Sequence, residues 1–96
     1  MSTPNKVHPT TVGGLDATKK LGVMVGELRY DLLVEVLQGL HSELIRQRDS
    51  DEGKGRARLA SILDEAAGQL EGTMDSLDKA VSICQHYIDE EKKLAQ

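Results

Sequence analysis

Residues 21 to 40 read LGVMVGELRYDLLVEVLQGL, and the geometry of this stretch decides the fold. Most of its positions are Leu, Val, Met or Tyr, three are Gly, and none is Phe or Trp. A half-buried strand would need polar residues at every second place, and VMVGELRYDLLVEVL does not keep that rhythm. A membrane span needs about 18 successive apolar residues, and Glu27, Arg29, Asp31 and Glu35 interrupt the run. A helical wheel resolves the pattern. Leu21, Val25, Leu28, Leu32 and Val36 form one stripe at spacings of four and three. Leu33, Leu37, Leu40 and Leu44 form a second, turned by about 100°. Glu27, Asp31, Glu35 and Gln38 occupy the far side. The stretch is a helix with one polar face and a very broad apolar one.

Working outward, residues 1–14 hold both prolines, two of the nine glycines and several Ser and Thr, and read as a flexible arm. Asp16 is placed to cap the helix that follows, with Leu15 as its staple residue. No proline interrupts the chain from there to about Arg48. DSDEGKGR, residues 49–56, is the clearest loop signal. Beyond it Leu63, Leu70, Leu77 and Cys84 recur every seven residues, and Ala67, Met74, Val81 and Ile88 lie four places after each. Leu59, Ala66, Thr73, Ala80 and Tyr87 complete a third column, giving a stripe wider than a two-helix seam. The phase holds across Gly68 and Gly72, so the spacing predicts one helix of roughly 35 residues, ~50 Å long. A break at Gly72–Thr73 is the alternative.

The expected fold is all-α: a flexible arm (1–14) and a helical hairpin domain (15–96), with a helix over 16–48, a loop over 49–56 and a helix over 57–93. One neighbouring helix covers about 100° of apolar surface, less than either half presents. Each large aliphatic side chain left uncovered forgoes roughly 1.5 to 3 kcal/mol. A second copy is the simplest cover, and two hairpins make a four-helix bundle. The positions assigned to assembly are Leu28, Leu32, Val36, Leu40, Leu63, Leu70, Leu77 and Val81. Gly22 with Gly26, Gly68 with Gly72, and Gly39 are read as points of close helix crossing, since each interior Gly costs about 1 kcal/mol against Ala.

Composition narrows the function. The formal net charge is −4, so general nucleic-acid binding is not favoured. Cys84 is the single Cys, which excludes an intrachain disulfide and a multi-Cys zinc site. No apolar leader opens the chain, and the expected location is cytoplasmic. No Glu-x-x-His pair of the kind di-metal bundles use is present, and the acidic ridges Glu27–Asp31–Glu35 and Asp64–Glu71–Asp78 read as solvated faces. His41 reads as a rim residue and Cys84 as a buried thiol. GKG at 53–55 lacks the pattern of a phosphate loop, and no nucleophile–base arrangement is apparent. There is no Trp, hence no Trp-x-Gly turn of the kind found in small secreted helical hairpins. The expected function is a non-enzymatic protein-interaction module, a homodimer without cofactor or membrane association. Two alternatives stand beside it: a nucleic-acid-associated regulator using Arg46, Arg56 and Arg58 at the loop end, and a metal-holding bundle.

Overall fold

The structure, a computed structural model, describes residues 8–14 and 16–95, with the side chains of Ile88 and Ala95 outside that description. The first seven residues of the expected arm and the staple at Leu15 therefore lie outside the described residues. The fold is all-α: α1 (Thr18–Gly26), α2 (Tyr30–Gly53) and α3 (Ala57–Ala95) follow in order, with no strand among the described residues.

The sequence reading runs one helix over 16–48; the structure has two, with a joint at 27–29. No side chain caps α1, which begins after Ala17 instead of at an Asp16 cap. Two glycines in nine residues, each costing about 1 kcal/mol in a helix interior, leave α1 little propensity of its own. Its last turn tightens, with the Leu28 N–H donating to the Val25 carbonyl at 3.0 Å. Arg29 is then extended (φ −53°, ψ 141°). Its guanidinium forks onto Asp31, Nε to Oδ1 at 2.7 Å and Nη2 to Oδ2 at 3.2 Å. The Leu32 and Leu33 amides both donate to the Arg29 carbonyl at 2.9 Å and restart the helix. Sequence periodicity passes through this joint because the apolar stripe continues on both sides of it.

The turn after α2 is shorter than the expected loop. The helix continues through the acidic run to Gly53 and leaves only 54–56 outside. Gly55 sits in the left-handed region at φ +80°. The Gly55 amide donates to the Glu52 carbonyl at 3.0 Å and the Arg56 amide to the Asp51 carbonyl at 2.8 Å, the paired bonds of a Schellman C-cap. One glycine able to adopt positive φ therefore sets the helix end, and the polarity of 49–52 does not. The third helix runs through Gly68 and Gly72 without interruption. The Thr73 hydroxyl donates back to the Gln69 carbonyl at 3.4 Å, four residues earlier, as it would mid-helix and not at a cap.

Helices α2 and α3 pack against each other antiparallel, in a register marked by Arg48 opposite Asp64, His41 opposite Glu71 and Arg29 near Glu91. Their seam closes on Val34, Ala60 and Ala67, the last only 1% exposed, and no large side chain is fully buried. Helix α1 lies against α2 alone and buries no residue. Among the described residues, no helix is long and apolar enough to cross a membrane.

Adjacent residues of α3 should respond in opposite directions. Ala67→Leu overfills the closest point of the seam and is expected to cost about 1–3 kcal/mol. Gly68→Ala places its Cβ where nothing lies within 4 Å and should stabilise the helix by about 1 kcal/mol. Urea unfolding of the two variants checks both signs.

Candidate interaction face

The two packed helices have unlike sides. In α2, Leu33, Leu37 and His41 are half-buried at the seam, and the residue before each, Leu32, Val36 or Leu40, is exposed. In α3 the same relation holds. Ala60, Leu63, Ala67, Met74, Val81 and Cys84 lie at the seam. The residues one step earlier are Leu59, Ile62, Ala66, Thr73, Ala80 and Ile83, exposed except for the half-exposed Ala80. One residue turns a helix by 100°. In two antiparallel right-handed helices, stepping back by one from the seam turns both toward the same side. Both exposed apolar rows therefore belong to one face.

One step forward from the seam leads to the other face. There Asp64 accepts from Arg48 Nη1 at 2.6 Å, and His41 Nε2 lies 2.8 Å from Glu71 Oε2. Asp49, Gln38 and Asp78 share that side. The Arg48 guanidinium is raised above its ordinary pKa by its hydrogen bond to Asp64 and then by that to Asp49. The ion pairs between the helices thus lie on one face; the other is apolar over Leu32, Val36 and Leu40 of α2 and carries the Glu43–Arg46 pair nearer the turn.

The outward column of α3 is uncharged along its length and apolar toward both ends. At alternating steps of three and four, the outward positions from Leu59 to Tyr87 read Leu, Ile, Ala, Gln, Thr, Ser, Ala, Ile, Tyr, and no charge interrupts them. Ile62 is 54% exposed, Ile83 80% and Tyr87 64%. Sequence reasoning placed Leu59, Ala66, Thr73, Ala80 and Tyr87 in this column but missed Ile62 and Ile83. Their signal was available in the uniform three–four spacing. Of the positions assigned to assembly, Leu63, Leu70, Leu77 and Val81 line the seam, half-buried. Leu32, Val36 and Leu40 lie on the exposed face, and Leu28 is half-buried at the joint. The structure does not gather them into one site; they divide between two surfaces.

At Gly22, Gly26, Gly39, Gly68 and Gly72, a built Cβ meets nothing within 4 Å. Among the described residues, these glycines therefore mark no close crossing.

At the open end of the pair, the α1–α2 joint and α3 enclose a cleft of about 280 Å³. It brings together Tyr30 and Tyr87, the only aromatic rings of Phe, Tyr or Trp type in the chain, with Leu28 and Cys84. Cys84 is half-exposed here, not the buried thiol the heptad suggested. At the turn end, His8 lies in a cleft of about 70 Å³ with Arg46, Ser50 and Lys54. Three arginines of this end, Arg46, Arg48 and Arg56, are engaged. Arg46 Nε donates to Glu43 Oε1 at 3.0 Å, Arg48 binds Asp49 and Asp64, and Arg56 Nη1 donates to Asp51 Oδ1 at 3.3 Å. Among the described residues, no group of three or more His, Cys, Asp or Glu is arranged to hold a metal.

The Arg29 fork holds the Asp31 carboxyl below its ordinary range. A depressed carboxylate contributes stability above its unfolded-state pKa and loses it as pH falls through the folded value. The Leu32 and Leu33 amides are expected to lose hydrogen-exchange protection on acidification through that range. In Asp31→Asn their protection should already be low and independent of pH.

The chain matches no family model, no curated protein and no solved structure, so its function rests on its own residues.

Proposed function

We propose that this chain is a non-enzymatic helical interaction module: a hairpin whose apolar face packs on that of a second copy to form a four-helix bundle. The observation that carries this reading is the uncharged outward column of α3, flanked by the exposed Leu32, Val36 and Leu40 of α2. Scattered exposed apolar residues are ordinary, whereas an uncharged row with large apolar side chains at both ends, beside a second apolar row, favours a surface that meets another protein. At roughly 1.5–3 kcal/mol for each large aliphatic side chain fully buried, covering only Ile62, Ile83 and Leu40 contributes several kcal/mol. That is comparable with the whole stability of a small domain. The charged face, with its ion pairs already made within the chain, is left to solvent.

The basic turn end, assigned to Arg46, Arg56 and Arg58, gains less support as a nucleic-acid site, because Arg46 and Arg56 each already meet a carboxylate.

Folding coupled to association makes stability depend on concentration. The thermal midpoint of the native chain should rise with chain concentration. Ile62→Glu combined with Ile83→Glu should abolish that dependence and lower the midpoint, while a helical spectrum remains at low temperature. A native midpoint that does not move over a hundredfold range of concentration would refute the reading.

A further inference from the structure

We infer that the second copy docks antiparallel, α3 against α3, about a two-fold axis passing beside Thr73. This rests on the self-association proposed above and adds its orientation. An interface between identical chains about a two-fold axis must complement itself: if residue i meets residue j of the second copy, then j meets i. The outward column of α3 has this property about one point. Thr73 is its middle. Seven residues to either side stand Ala66 and Ala80. Further out come Ile62 and Ile83, eleven before and ten after, and fourteen to either side stand Leu59 and Tyr87. In the antiparallel arrangement Leu59 meets Tyr87 of the second copy, Ile62 meets Ile83, and Ala66 meets Ala80. Large side chains then interlock at both ends; at the centre Gln69 meets Ser76, and the small Ala and Thr side chains let the helices approach.

A parallel arrangement would also match sizes, and charge decides between them. Parallel packing stacks the acidic turn Asp89–Glu90–Glu91 of one copy on the same turn of the other, and Arg58 on Arg58. Antiparallel packing brings Arg58 of each copy to within about a turn of Glu90 of the other, converting two repulsions into two attractions. The helix dipoles of the two α3 segments also oppose. The column spans ~42 Å at 1.5 Å per residue, and Leu32, Val36 and Leu40 of α2 extend the face beside its central and C-terminal part. Helices repeating at steps of three and four pack at shallow angles, about 20°, so contact can be kept along the whole length.

The test uses the full chain carrying Cys84→Ser, which removes its one native thiol. Its mass is first measured by sedimentation. Thr73→Cys in this background should oxidise to a covalent dimer in high yield, since a residue beside the axis lies next to its own mate. Leu59→Cys mixed with Tyr87→Cys should give the mixed disulfide, while neither alone forms one efficiently. For a measurement that leaves the interface intact, a spin label is placed at Ser61→Cys, on the charged side. The antiparallel dimer sets the two labels ~36 Å apart along the axis, whereas a parallel one sets them within roughly 20 Å. A dimer with short label distances and 59–59 or 87–87 disulfides overturns the orientation and leaves self-association standing. A dimer with long label distances but no disulfide at residue 73 places the axis elsewhere and also overturns the proposal. A monomer at every concentration overturns the self-association on which it rests.

Discussion

Two packed helices share a line of contact but enclose no interior, and most of what is distinctive here follows from that. Among the described residues only Val34, Ala60 and Ala67 are buried, where small side chains let α2 and α3 close on one another. Every larger aliphatic residue of the seam remains partly open, because no third layer lies above or below it. Helix α1, nine residues long and rich in glycine, does not supply that layer. The chain therefore carries more apolar surface than its own topology can cover.

How that surplus is distributed matters as much as its amount. The ion pairs between the helices, Arg48–Asp64 and His41–Glu71, lie on one side of the seam, and the uncharged column of α3 lies on the other. Ion pairs this open to solvent contribute less than one buried Leu or Ile. They mark the register of the two helices on one side of the seam and leave the exposed apolar rows on the other. Such a division suits stacking in layers better than the wrapping of a flexible peptide around the pair.

The all-α architecture and the unbroken course of α3 were legible in the sequence, because a seven-residue repeat of Leu63, Leu70, Leu77 and Cys84 has one geometric meaning. The excess width of the apolar stripe was legible too, as a third column at Leu59, Ala66, Thr73, Ala80 and Tyr87. The joint at 27–29 was not. It depends on the Arg29 guanidinium forking onto a carboxylate two residues later, which leaves no trace in apolar periodicity. The end of α2 was misplaced because a polar run looks like a loop, whereas a single positive-φ glycine, Gly55, fixes the end. The division of assembly residues between seam and open face also could not be read from one chain's periodicity. Which of two adjacent stripes meets the neighbouring helix depends on how Ala60 and Ala67 allow that helix to approach.

The central claim is that a second copy covers the apolar face. The most direct measurement is the solution mass of the chain across a concentration range by sedimentation equilibrium. The account predicts a species near twice the 10.5 kDa chain mass, dissociating only on dilution. A mass of one chain throughout, including the highest concentrations, would contradict it.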